Sequence, residues 1–153
     1  MNPVMIIALL FSVIAHECAH GLAALYLGDP TAKRMGRLTL NPLVHIDPLG
    51  TIIVPIVMTL LPGGMIFGWA KPVPVNFMNL RHPRRDMVWV AAAGPGVNLA
   101  LAFASAVLLH LTPYFSPDIG KWLADNLANS ILINLVLAVF NMLPLPPLDG
   151  GRV

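Results

Sequence analysis

Residues 3–27 read PVMIIALLFSVIAHECAHGLAALYL, and this stretch decides the fold. It is about 25 residues long, enough to cross a hydrocarbon core of about 30 Å as one helix. Inside it stand His16, Glu17 and His20, and Gly28-Asp29-Pro30 ends it. A central acidic residue in a span costs about 2.5–3.5 kcal/mol to insert, so intramembrane ionisable residues mark functional sites by default. The N-terminal Met1-Asn2-Pro3 lacks the basic region of a signal peptide, and no small-residue cleavage site follows the run. It reads as a retained span.

The composition agrees. Of the 153 residues, 57 % are hydrophobic and only 10 % charged, against about 25 % charged in a soluble domain. A soluble chain this short has too much surface for so few charges. The net charge of +2 comes with no basic stripe, which argues against nucleic acid. One cysteine, Cys18, excludes an intrachain disulfide.

Two further spans are expected at 87–111 and 127–143, separated by a polar loop at 112–126. Residues 49–67 are apolar but short, with Pro55 inside, and read as either a re-entrant or a spanning segment. The alternation at 31–42 and the proline-punctuated FGWAKPVPVNF at 67–77 read as short membrane-associated β-strands. The expected fold is thus an all-α membrane protein: a polytopic helical bundle with three core transmembrane helices, one short re-entrant or spanning segment and short β-strands. If 49–67 re-enters, the basic residues Lys33, Arg34, Arg37, Lys71, Arg81, Arg84 and Arg85 all lie on one side, as the positive-inside rule requires. That topology brings the ends of the first and third spans to the same face.

The sharpest motif is His16-Glu17-Cys18-Ala19-His20. Positions i and i+4 share a helix face, so two imidazoles can reach one zinc ion at about 2.0–2.1 Å. Glu17 then stands where a general base is needed. The bland reading is a packed histidine pair. A catalytic zinc site takes three protein ligands. The candidates for the third are Asp149, Asp47, His45, His82 and His110. Asp149 is preferred because it follows the third span in a proline-broken segment with Gly150 and Gly151 beside it. Asp47 reads as a helix N-cap. Asn98, after Gly94-Pro95-Gly96, is placed either to hold substrate backbone or a catalytic water, or to bond between helices. Asn141 is placed to donate to an oxyanion or to make a helix-end contact. Asn134 and Cys18 read as packing.

The set HECAH (16–20), GWAKPVPVN (68–76), GPGVN (94–98) and NMLPLPPLDGG (141–151) resembles the site-2 protease family of intramembrane metalloproteases, peptidase family M50, in its small prokaryotic form. The resemblance implies one Zn2+ per chain on His16, His20 and Asp149, with Glu17 as catalytic base and Asn98 and Asn141 assisting. It implies cleavage of transmembrane protein substrates in or near their spans, as in regulated intramembrane proteolysis. The setting would be the lipid bilayer of a prokaryotic cell membrane, with the active site nearer the cytoplasmic side. Residues 1–153 would form the catalytic core, without the further C-terminal helices and the PDZ or CBS-type domains that relatives carry. Two other classes compete. A membrane zincin of the prenyl-protein protease type takes a glutamate as third ligand, but Glu17 is the chain's only glutamate. A metal transporter would need no glutamate at the second motif position.

Overall fold

A computed structural model describes residues 3–60, 69–145 and 148–152. Three long helices make the frame: α1 (Pro3–Tyr26), α4 (Pro83–Leu109) and α5 (Pro117–Asn141), with α2 (Thr31–Arg34) and α3 (Val54–Leu60) as short helices between the first two. At 1.5 Å per residue the long helices run roughly 36–40 Å, more than the hydrocarbon thickness of a bilayer. The chain is a multi-pass membrane protein.

The helices alternate in direction. His16 on α1 meets Asn98 on α4, and His20, one turn later, meets Val90. Asn98 meets Asn134 on α5, and Ser105 meets Ser130. The contact faces are small or polar: Ser12, Ala19, Ala91, Gly94, Ala102 and Ala138 are buried. Such residues let helix backbones approach closely where lipid removes any hydrophobic drive for helices to associate. Large apolar side chains point outward instead, with Phe103 72 % and Val139 65 % exposed. Water would not tolerate that surface, whereas acyl chains do.

Local signals explain the boundaries. Gly28, at φ +116°, turns the chain out of α1, a conformation that favours glycine. Pro83 opens α4 and Asp86 reaches back to the His82 amide at 2.9 Å. Pro117 opens α5 ten residues before the expected start of the third span. Proline is suited to the first helical turn, so Lys121, Asp125 and Asn126 ride on the first turns of α5 and the expected 112–126 loop shrinks to a turn around Thr112–Tyr114.

The expected β-strands are absent among the described residues. Residues 31–34 coil into α2, and Arg37 N–H closes back on Ala32 O at 2.9 Å. Residues 69–76 are extended but lie beside no second strand. Pro72 and Pro74 offer no amide, and four of the remaining N–H groups go elsewhere. Trp69 donates to Gly50 O (3.1 Å), Lys71 to His45 O (2.8 Å), Val73 to Glu17 (2.8 Å) and Asn76 to Asp29 (2.7 Å). A side-chain and loop framework replaces the ladder. Phe67 and Gly68 of the expected strand lie outside the described residues.

The same bonds bear on residues 49–67. Asp47 caps the turn from Pro48, accepting from the Leu49 and Gly50 amides at 2.9 and 3.0 Å, as its N-cap reading requires. The helical stretch Pro48–Leu60 is about 20 Å long, too short to cross. The chain leaves at Gly50 and is back beside it at Trp69, where Thr51 Oγ1 also donates to Trp69 O at 2.8 Å. Gly50 and Trp69 are thus hydrogen-bonded neighbours, an arrangement that favours the re-entrant option over the spanning one. Residues 61–67 themselves lie outside the described residues.

Candidate metal centre

His16 and His20 lie ten and six residues before the end of α1, so they sit roughly 9–15 Å along the helix from that face. Both are buried. What lets α4 close upon them is Gly94: a Cβ there would run into the Nε2 atoms of both imidazoles. Gly96, two residues on, has nothing within 4 Å of the same position and faces away.

Each ring is pinned by its Nδ1. His20 donates to the Val90 carbonyl at 2.7 Å, an acceptor that has no proton to offer. His16 donates to Asn98 Oδ1 at 2.5 Å. With Nδ1–H thus engaged, each neutral ring presents a bare Nε2 lone pair. The two Nε2 atoms are 3.1 Å apart, and Asp149 Oδ2 lies 3.1 Å from one and 3.2 Å from the other. Three acceptors converging at that distance repel unless a cation lies among them. Tetrahedral zinc with bonds of about 2.0–2.2 Å needs ligand atoms about 3.3–3.5 Å apart, close to the triangle observed. Among the described residues this is the one group of three metal-ligating side chains that converge. The donor set and its geometry fit zinc.

Asp149 arrives from the segment after α5. Its turn folds back so tightly that a Cβ on Gly150 would overlap the backbone of Met142 and Leu143.

Glu17 lines a cavity of about 160 Å3 together with His16, His20, Asn141 and Asp149. The opposite wall is the extended segment, through Pro72, Val73 and Val75. Val73 N–H donates to Glu17 Oε2 at 2.8 Å. Asn141 lines the cavity while its amide donates to Leu137 O of its own helix at 2.9 Å. Asn98 is fully buried behind His16 and does not line the cavity. Cys18 turns away to donate to Thr39 O at 3.2 Å. Of the other ligand candidates, His45 is buried against Thr39 O, Asp47 caps a turn, His82 precedes α4 and His110 bonds Ala106 O. None of these four joins the centre.

Sequence reasoning missed two backbone participants, the carbonyl of Val90 and the amide of Val73, which no side-chain motif can announce. It also read Asn134 as mere packing, although Asn134 bonds Asn98 at 2.9 Å. A polar residue inside an apolar span was the available signal.

Three apolar helices of span length that bring two histidines and an aspartate together fit a membrane metalloenzyme class. The comparisons narrow it. The chain matches Peptidase family M50 over residues 4–130 and belongs to that family of zinc metalloproteases. It is 44 % identical over 157 residues to "Putative zinc metalloprotease YwhC" of Bacillus subtilis, covering all of this chain and 68 % of that protein. It is 36 % identical over 148 residues to "Putative zinc metalloprotease Rip2" of Mycobacterium tuberculosis, covering 96 % of this chain and 54 % of the relative. The chain thus spans about half the length of the mycobacterial relative. No solved structure matches it.

Proposed function

We propose that this chain is an intramembrane endopeptidase that hydrolyses peptide bonds in or near transmembrane segments of other membrane proteins, using one zinc held by His16, His20 and Asp149. The observation that carries the reading is the triangle of their ligand atoms, 3.1–3.2 Å on a side, inside a bundle of span-length helices. Zinc, when bound, supplies the positive charge that polarises a scissile carbonyl and acidifies the attacking water. Everything else falls to the chain's own residues.

Glu17 takes the proton of the attacking water and passes it to the leaving amine. Its Oε2 is held by Val73 N–H, which leaves Oε1 for the water. Asn141, on the cavity wall near Asp149, donates to the developing oxyanion with the amide hydrogen not given to Leu137. Asn98 works one step back, orienting His16. A peptide bond in a membrane helix is internally hydrogen-bonded and short of water. The substrate must therefore unwind, and the wall formed by Pro72, Val73 and Val75 suits an extended segment. The basic residues on and after α2 and before α4, taken with the positive-inside rule, support cleavage nearer the cytoplasmic side.

The test is cleavage of a fluorogenic single-span peptide in proteoliposomes, wild type beside Glu17→Gln. Glutamine preserves an acceptor for Val73 N–H, so the variant is expected to keep its zinc and lose cleavage at least 100-fold, a loss in the range of a general base. Cleavage by Glu17→Gln at the wild-type rate contradicts the assigned base. Cleavage of soluble peptides with none of the membrane-embedded one contradicts the substrate class.

A further inference from the structure

A line of buried polar side chains leads away from the centre through the interior of the bundle. His16 Nδ1 bonds Asn98 Oδ1 (2.5 Å), Asn98 Nδ2 bonds Asn134 Oδ1 (2.9 Å), and Asn134 Nδ2 bonds the Ser130 carbonyl (2.9 Å). Asn98 Nδ2 also reaches the Ser12 carbonyl at 3.4 Å. Asn98 and Asn134 are almost completely buried.

The two carbonyls give this line a direction. A carbonyl can only accept, so Ser130 O obliges Asn134 to present its NH2 to α5 and its oxygen to Asn98. Asn98 must answer with its own NH2, which Ser12 O also requires. The oxygen of Asn98 is then turned to His16, whose Nδ1 must carry the proton. Nε2 is left bare and pointed at the metal triangle. A flipped amide anywhere along the line would set two donors or two acceptors face to face inside a span, where an unmet polar group costs several kcal/mol.

We propose that Asn134, which touches neither metal nor cavity, is a positioning residue that sets the tautomer of His16 through Asn98 and so prepares the site for zinc. The inference rests on the reading of His16 as a ligand. It assigns to α5 a second role beside carrying Asp149: it polarises the ligand that α1 supplies. Asn134→Leu removes the short acceptor for Asn98 Nδ2 and leaves only the long 3.4 Å bond to Ser12 O, so the Asn98 amide can turn its NH2 to His16 and move the imidazole proton to Nε2, where zinc must displace it.

The experiment is 15N–1H correlation of the histidine ring nitrogens in metal-free detergent-solubilised protein at alkaline pH, with zinc titration of the same samples. Wild type is expected to show His16 as the Nδ1–H tautomer, and Asn134→Leu to show an Nε2–H population with zinc binding weakened about tenfold, the lower end for residues that orient metal ligands. An Nε2–H tautomer in wild type overturns the proposal, and this arm stands even if Asn134→Leu does not fold. An unchanged tautomer and zinc affinity in folded Asn134→Leu overturns it as well. His16→Ala separates the two levels: zinc retained by that variant overturns the ligand assignment itself, whereas zinc lost there but unchanged in Asn134→Leu overturns only the role of Asn134.

Discussion

The two halves of the candidate metal centre are built on opposite plans. His16 and His20 stand on a regular helix, one turn apart, and each has its second ring nitrogen tied to α4. Asp149 hangs from a tight turn after α5 has ended and is oriented by the backbone fold at Gly150. The helix-borne half is fixed by packing between spans, so it tolerates no bulk. The turn-borne half is fixed by local backbone geometry. The two rigid imidazoles set where a metal could be held; the carboxylate on the turn completes the triangle.

The sharpest break of that comparison is Gly94→Val. Its side chain would enter the space of both imidazoles, and neither ring can yield without giving up its Nδ1 bond. Zinc content is expected to fall below about one-tenth of wild type, since the metal's binding energy depends on a preformed ligand set. Elemental analysis of the purified protein checks this.

A smaller effect is expected at Asp29, outside the centre but holding its wall. Asp29 accepts from the amides of Thr31 and Asn76, the Thr31 hydroxyl and the Asn79 side chain. It ties the end of α1 to the segment that binds Glu17. Asp29→Ala strands these donors and is expected to cost about 1–3 kcal/mol, seen as a lower thermal midpoint in detergent. Burial raises the Asp29 carboxyl, but the bonds from Thr31, Asn79 and Asn76 outweigh it and hold it below its ordinary value. A lowered folded pKa gives stability that is present above the unfolded value, near 3.8, and lost as pH falls through the folded one. The gap between wild type and variant should therefore be full at neutral pH and narrow below about pH 4.

The smallest effect sharpens the contrast with Gly94. Gly96→Ala meets nothing within 4 Å, and alanine is the better helix former by about 1 kcal/mol in water. Zinc content and thermal midpoint should match wild type or rise slightly.

What could be read from residues alone follows the same division. The helix-borne half was fully legible, because apolar length announces a span and a four-residue spacing announces a shared face. The course of residues 49–67 was legible only as two options, because the contact that favours re-entry, Trp69 with Gly50, joins residues 19 apart through backbone atoms. The strands were misread for the same reason. Extended, proline-rich sequence looks like a strand edge, yet its amides are claimed one by one by Glu17, Asp29, His45 and Gly50. The early start of α5 was hidden by polar residues that composition assigns to a loop, although Pro117 marked the first turn. Asn98 was singled out by type, but its place behind His16 needed the packing of α4 on α1.

Closure of the proposed site depends on Asp149, the candidate ligand that sequence spacing alone could not select. The direct measurement is zinc per chain in purified wild type beside Asp149→Ala, with folding checked by circular dichroism. About one zinc per chain in wild type and marked loss in the folded variant is the predicted result, as three protein ligands are needed to hold a catalytic zinc. Equal zinc in the two proteins would contradict it, and with it the closure of the site by the turn that follows α5.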